Sequence, residues 1–206
     1  MRKALIVLIF LLIAFSAYTQ EADRNILMKA EAGDPFEQFL AGLEYSKLGN
    51  HNKAFDWYLK SANQNNVEAQ TMLGKMYESG VGIRRDLAKA AEWYKKGTEQ
   101  GSVEAQTRLG ALYKDGRGVR RDYRLAADYL TRAATQGSHE AQRLLGDLYW
   151  GGHIGSAPNR VTACAWYFFS KDSNSIKRCN QLSQAEIDRS GYEVERYQDE
   201  YKLLDR

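Results

Sequence analysis

Residues able to bind a metal or to do acid–base chemistry are few in this sequence and are not spaced for either task. His51, His139 and His153 do not form a His-x-x-x-His pair, and neither Cys164 nor Cys179 has a Cys-x-x-Cys partner. Zinc ligands commonly come at such short spacings. The sequence therefore predicts no metal site, no cofactor and no catalytic residues, and we expect a protein that is not an enzyme.

Two glycine pairs offer another pattern that is associated with ligands. They lie in the segments Gly80-Val81-Gly82 and Gly116-Arg117-Gly118. Such a pair cradles phosphate when it connects a strand to a helix. Helix-forming residues precede and follow both pairs, so we interpret them as loops between two helices. Phosphate binding is the less favoured alternative.

The two cysteines are more informative. The midpoint between Cys164 and Cys179 falls between Lys171 and Asp172, where a turn between two helices is predicted. Antiparallel helices would bring both thiols to the same height, and a disulfide forms readily in an oxidising compartment. Such a bond would attach the C-terminal cap and stabilise the fold by about 3 kcal/mol. Two buried free thiols are the alternative.

The elements that position these residues follow a repeat of 36 residues. The tripeptide Glu68-Ala69-Gln70 recurs at residues 104–106 and 140–142. A Leu-Gly pair and a tyrosine follow each copy in register. These are Leu73, Gly74 and Tyr77, then Leu109, Gly110 and Tyr113, then Leu145, Gly146 and Tyr149. Self-similarity at this period is typical of stacked supersecondary units.

Each unit is predicted to form two helices. In the first helix Ala69, Leu73 and Tyr77 recur every four residues, so they share one stripe that faces a neighbour. The glycine pair ends this helix, and the side chain of Asp86 can cap the next one. Gly101 then provides the left-handed residue that ends the second helix. With only two prolines in the chain, we expect an almost strand-free fold.

This pattern resembles the Sel-1-like repeat family, a branch of the tetratricopeptide superfamily. The resemblance rests on the Ala-Gln, Leu-Gly, Tyr, Gly-x-Gly, Asp, Ala, Trp-Tyr and Gln-Gly run between Ala69 and Gly101. It implies an all-α fold, an α-α superhelix of helix-turn-helix repeats with a C-terminal helical cap. The expected segments are a signal peptide (1–17), an N-terminal helical cap (18–33), a degenerate repeat (34–66), three full repeats (67–102, 103–138 and 139–173) and C-terminal capping helices (174–206).

The resemblance also implies where a partner binds. Family members look like adaptors whose concave surface is lined by first-helix positions that do not face the next repeat. In this sequence those positions, which we call the inner face, are Thr71, Lys75, Glu78, Thr107, Ala111, Lys114, Arg143, Asp147 and Trp150. Tryptophan is enriched at binding hot spots. For Trp150, packing against the Gly151-Gly152 loop is an equally favoured alternative.

Loop arginines form a second candidate surface. Arg84 and Arg85 recur 36 residues later as Arg120 and Arg121, with Arg117 and Arg124 nearby. These residues are predicted to form a basic ridge that meets an acidic protein, a lipid phosphate or an anionic wall polymer. The favoured alternative is that they are solvated loop residues beside the Asp caps.

The first residues predict export. Arg2 and Lys3 precede an apolar run from Ala4 to Phe15, and small residues follow. This layout is typical of a secretory signal peptide, and the run is shorter than the about 20 residues of a membrane-spanning helix. We therefore expect a periplasmic or secreted protein, with a retained anchor as the alternative.

Charge narrows the function further. The chain has 29 basic and 26 acidic residues, and without Arg2 and Lys3 the basic count falls to 27. Nucleic acid binding needs a concentrated basic footprint, so we expect no nucleic acid partner.

We expect a monomeric scaffold that binds a protein or peptide. The alternatives are a cell-envelope component that binds peptidoglycan or lipopolysaccharide, and a weak hydrolase of cell-wall or β-lactam-like ligands, as suggested by cysteine-rich relatives of the repeat family.

Overall fold

The computed structural model describes residues 26–155 and 157–202, which fall into two compact units divided between Arg85 and Asp86. The signal peptide predicted at 1–17 lies outside these residues. All regular structure in the described ranges is helical, without a strand, which confirms the all-α prediction. None of the helices described there is long and apolar enough to cross a bilayer.

In the first unit a helical segment over residues 26–31 precedes three helices. These are α1 (Pro35–Lys47), α2 (His51–Asn63) and α3 (Val67–Ser79). α1 packs against α2, and α2 packs against α3. Small residues such as Ala41, Ala54 and Ala69 are fully buried, so the helix backbones can approach closely around the ring of Tyr58. Side chains of Asp34, Asn50 and Asn66 cap the three helix starts.

In the second unit each helix from α4 to α8 packs against the next, and the last helix packs back on α8. The helices are α4 (Leu87–Glu99), α5 (Val103–Asp115), α6 (Tyr123–Thr135), α7 (His139–Trp150), α8 (Arg160–Ser170), α9 (Ser173–Arg178) and α10 (Gln184–Tyr201), with a 3-10 turn (Cys179–Gln181) before α10. Leu130, Leu145, Leu148 and Trp166 belong to one buried cluster that α10 closes with Tyr197.

Helix boundaries follow the predicted signals. α3 ends at Gly80 (φ 79°) and α5 ends at Gly116 (φ 69°), both in the left-handed region that glycine adopts without strain. Asp86 accepts hydrogen bonds from two backbone amides at the start of α4, and Asp122 does the same for α6. The aspartates therefore satisfy donors that the helix starts leave free.

The glutamine of the Ala-Gln signature has a structural role. Gln70 and Gln142 are buried, and each donates from Nε2 to a backbone carbonyl eight residues earlier, Ala62 O at 3.4 Å and Ala134 O at 3.0 Å. Both carbonyls lie in the last turn of the preceding helix and also accept from a turn amide three residues later, so the glutamine provides a second donor. Gln38 bonds Ala30 O in the same way at 3.1 Å. This bond ties α1 to residues 26–31, within the segment predicted as an N-terminal cap.

Candidate functional site

Three predicted inner-face residues lie together on α7. Arg143, Asp147 and Trp150 are spaced by four and three residues, so they share one side of the helix. The opposite stripe, which includes Leu145 and Leu148, is buried in the core. Burial of that stripe fixes the rotation of α7 and turns the polar side chains outward, where all three are partly exposed.

Asp147 is the centre of this group, because its carboxylate accepts from three side chains on three helices. Arg143 Nη1 lies 3.0 Å from Oδ2. The Tyr167 hydroxyl of α8 donates to Oδ1 at 2.9 Å, and Arg178 Nη1 of α9 lies 3.2 Å from the same oxygen. The Asp147 side chain is 27% exposed. Partial shielding from water makes such charge-assisted bonds stronger and better oriented than fully exposed pairs.

Tyr167 is held under Asp147 by the Leu-Gly signature. The tyrosine is completely buried, and its ring packs on Gly146, where an added Cβ would lie 2.5 Å from ring atoms. Burial and then the hydrogen bond to Asp147 raise the pKa of the Tyr167 hydroxyl well above its ordinary value. The hydroxyl therefore stays protonated and acts as a fixed donor to the carboxylate.

Trp150 lies at the end of α7 beside the polar group. Its ring centroid is 6.2 Å from that of Tyr167, with the planes tilted by 41°. The guanidinium of Arg160, at the start of α8, lies 5.3 Å from the Trp150 ring centroid. Cation–π contact on a half-buried indole leaves part of the ring accessible. Trp150 thus both packs against α8 and presents an aromatic surface.

The predicted disulfide between Cys164 and Cys179 is present, with the two Cα atoms 5.9 Å apart. It joins α8 to the residue that directly follows Arg178.

The sequence interpretation did not include Arg178 or Tyr167 in the site, because both come from elements outside α7. The repeat register could have predicted that Tyr167 is buried, since it occupies the position of buried Tyr58 in the first repeat.

Other inner-face positions are packed more deeply. Thr71 is 5% exposed and its hydroxyl donates to Val67 O, four residues earlier. Thr107 is 4% exposed, donates to Val103 O in the same way and also lies 3.0 Å from Ser138 Oγ. These threonines therefore serve helix packing.

The remaining inner-face side chains are partly accessible. In the second unit Ala111 is half-buried, and the Lys114 ammonium lies 2.7 Å from the Asp115 carboxylate. In the first unit Lys75 and Glu78 are half-buried and each interacts with other groups. Among inner-face residues, those on α7 thus form the best-ordered exposed polar group of the second unit.

Most arginines of the predicted basic ridge are exposed, while Arg117 is half-buried. In the first unit Arg85 donates from Nε to Glu78 O at 3.0 Å, which folds its stem over the end of α3. In the second unit the Arg121 guanidinium lies 5.4 Å from the Tyr123 ring, which stacks on His153 at 4.3 Å. Arg84 and Arg120 are likewise exposed. Within the described residues, no group of three or more His, Cys, Asp or Glu could hold a metal.

Paired helices in a fixed register, with buried signature residues at equivalent places, define a helical repeat protein. The family model for the Sel1 repeat matches the sequence at residues 38–66, 67–102, 103–138 and 139–172, about two thirds of the chain. The chain therefore belongs to the Sel1 repeat family. Members of this family are generally scaffolds for protein–protein interaction and are typically not enzymes.

The fold is similar to solved structures of such proteins. A protective antigen present in uropathogenic Escherichia coli strains, which displays an SLR fold, is 33% identical with a TM-score of 0.69, and the match covers 78% of this chain and 35% of the antigen. A Sel1 repeat protein from Oxalobacter formigenes is 28% identical with a TM-score of 0.63, covering 72% of this chain and 64% of that one. This chain thus spans less than two thirds of either protein.

A Sel1 repeat structure from Klebsiella pneumoniae subsp. pneumoniae is similar along nearly its whole length. It is 20% identical with a TM-score of 0.56, and the match covers 89% of this chain and 99% of that one. This likeness concerns the fold alone.

Proposed function

We propose that this protein is an exported adaptor that binds a protein or peptide on the face formed by Arg143, Asp147, Trp150 and Arg178, which we call the last-repeat face. One observation carries the proposal. A carboxylate held by donors from three helices lies beside a half-exposed tryptophan. Polar groups that are already ordered lose little entropy on binding, and a tryptophan among them is a suitable anchor.

Export is supported by two features of the chain. Disulfides persist in oxidising compartments and are rare in the cytosol, and Cys164 is bonded to Cys179. The predicted signal peptide at 1–17 agrees with such a compartment. The proposed location is the periplasm or the cell exterior.

Site-specific photo-crosslinking tests the proposed surface. A photoreactive phenylalanine analogue is placed at Trp150 in one variant and at Tyr192 in a control variant. Tyr192 is 68% exposed on α10, so it reports contacts on a different helix. We expect one defined protein adduct from the exported fraction at position 150 and none of that size at position 192.

Affinity measurements with the protein identified in that adduct provide a second readout. Trp150→Ala is expected to weaken its binding at least about tenfold, because anchor tryptophans dominate interfaces. Trp93→Ala, on α4, is the matched control and should leave affinity unchanged. Equal labelling from positions 150 and 192, or full affinity of Trp150→Ala, would place the interaction elsewhere.

A second candidate function, binding of an anionic envelope component, is favoured by the loop before α6. Arg120, Arg121 and Arg124 are exposed there, while the nearby Asp122 is engaged as a helix cap. Such a surface attracts phosphate and carboxylate groups. Salt-sensitive binding of purified peptidoglycan or lipopolysaccharide that is lost in Arg120→Ala/Arg121→Ala would support this candidate. A turnover assay on the same materials tests the hydrolase alternative.

A further inference from the structure

The Asp147 group contains more hydrogen-bond donors than its carboxylate uses. Arg143 and Arg178 each donate from Nη1 to Asp147, and a guanidinium carries five N–H donors. Their side chains are 36% and 53% exposed. The carboxylate is therefore covered by cationic groups whose other donors are available to solvent.

Arg178 changes the net charge that the surface around Asp147 carries. With Arg178 in place, two guanidinium groups flank one carboxylate. Without it, Oδ1 would keep the Tyr167 hydroxyl as a neutral donor, and Arg143 alone would balance the charge on Oδ2. A second acid, Asp172, lies close enough for both arginines to lower its pKa, after the larger effect of its hydrogen bonds with Ser175. Asp172 caps α9 through Ser175 N at 2.7 Å.

The position of Arg178 depends on a very short helix. α9 has six residues, of which Ser175 alone is buried. A helix of this length does not persist on its own in water. Its C-terminal end is fixed covalently, because Cys179 directly follows Arg178 and is bonded to Cys164, which is 4% exposed on α8. The disulfide thus fixes the backbone at the residue next to Arg178.

We propose that Arg178 sets the charge of the last-repeat face, and that the Cys164–Cys179 disulfide holds Arg178 over Asp147. The inference rests on the proposed function, since it concerns the same face. With the disulfide intact, the face rejects a cationic side chain at Asp147 and accepts neutral or acidic groups. Loss of the link removes one of the two guanidinium groups from the carboxylate and weakens this preference.

Charged quenchers of Trp150 fluorescence measure this directly, because Trp150 and Arg178 both contact Tyr167. In a Trp57→Phe/Trp93→Phe background the other remaining tryptophan, Trp166, is 2% exposed and contributes a constant signal. The probes are iodide, caesium and neutral acrylamide at low ionic strength. The ratio of iodide to acrylamide quenching constants reports the local charge, since acrylamide corrects for changes in accessibility. Arg160 lies 5.3 Å from the Trp150 ring in every variant, so the change in the ratio between variants reports the effect of Arg178.

We expect Arg178→Ala to lower this ratio by up to about twofold and to raise the caesium ratio, which is the scale of one unit charge acting in water within about a Debye length. Cys164→Ser/Cys179→Ser should change both ratios in the same directions. Arg178→Lys should restore most of the iodide ratio. Lys177→Ala, on the same helix, is the matched control and should change it by less than half as much.

Two outcomes overturn the proposal. An unchanged ratio in Arg178→Ala shows that Arg178 does not set the charge, and an unchanged ratio in the double serine variant shows that the disulfide does not position it. Circular dichroism checks that each variant remains folded. No protein partner is present in this assay, so its failure leaves the crosslinking result at position 150 standing, and the reverse also holds.

Discussion

Trp93 and Trp166 occupy the same register position on the second helix of two repeats, yet their surroundings differ. Trp93 on α4 is half-buried, and the Lys96 ammonium lies 3.9 Å from its ring centroid. Trp166 on α8 is 2% exposed and stacks on Tyr197 of α10 at 4.9 Å. Phe169 holds the place of Lys96. An apolar ring thus replaces a cation beside the tryptophan in the repeat that α10 covers.

The third and fourth repeats also differ at positions that form the polar site. Ala111 on α5 and Leu130 on α6 correspond to Asp147 on α7 and Tyr167 on α8. The apolar pair of the third repeat is replaced in the fourth by a hydrogen-bonded pair with a 2.9 Å contact. The repeat therefore provides a fixed frame on which this pair, together with Arg143 in place of Thr107, creates a polar site. The capping segment completes the site with Arg178.

The largest expected effect tests the difference between the two tryptophans. Trp166→Ala should lower the free energy of unfolding by about 3–5 kcal/mol, because it leaves a cavity beneath α10. Trp93→Ala should cost about 1 kcal/mol, the scale of one cation–π contact and partial burial. Urea unfolding of both variants measures the difference. Equal losses would show that α10 does not bury Trp166 as described.

A smaller effect separates the two helix glycines. Gly146→Ala places a methyl group against the buried Tyr167 ring, 2.5 Å from its nearest atoms, and should cost about 1–3 kcal/mol. In Gly110→Ala the nearest atoms belong to Leu130, 2.7 Å and 2.9 Å away, and an aliphatic side chain shifts more easily than a ring. We expect Gly110→Ala to cost about 1 kcal/mol less, by the same urea titration. The reverse order would contradict the packing described for Tyr167.

The smallest effect concerns the cap of α10. Hydrogen bonds from Ser183 lower the pKa of Glu186 below its ordinary value of 4.5, with Arg189 and Arg160 adding to the shift. Because the folded pKa is lowered, ionised Glu186 stabilises the protein above about pH 4.5, and this is lost as the pH falls through the folded pKa. Glu186→Gln should therefore be destabilising at pH 7 and nearly neutral at pH 2.

Ser138→Ala at the start of α7 is the matched control, because a serine cap does not titrate in this range. Ser138→Ala should lower the free energy of unfolding by about 1 kcal/mol at both pH values. An equal pH dependence for the two variants would show that the Glu186 charge does not act at the α10 cap.

Most of the fold follows from local signals in the sequence. The capping aspartates, the left-handed glycines and the four-residue spacing of Ala69, Leu73 and Tyr77 each have a local physical cause, and the register repeats them. The predicted turn between the cysteines was also correct, since α8 ends at Ser170 and α9 begins at Ser173.

The site could be predicted only in part. Register placed Arg143, Asp147 and Trp150 on one helix side, but Tyr167 and Arg178 join them through packing of α8 and α9, which no spacing on α7 reveals. The threonines illustrate the opposite case. Thr71 and Thr107 have a polar side chain at an inner-face position, yet their hydroxyls bond the carbonyl four residues earlier, so both are buried.

Nuclear magnetic resonance of the tryptophan indole N–H groups tests the central claim most directly. Trp57, Trp93, Trp150 and Trp166 provide one reporter each, and the protein captured by crosslinking is added in steps. We predict that the Trp150 signal shifts first and most, while those of Trp57 and Trp93 stay in place. A shift of Trp93 or Trp57 with an unmoved Trp150 would contradict binding at the last-repeat face.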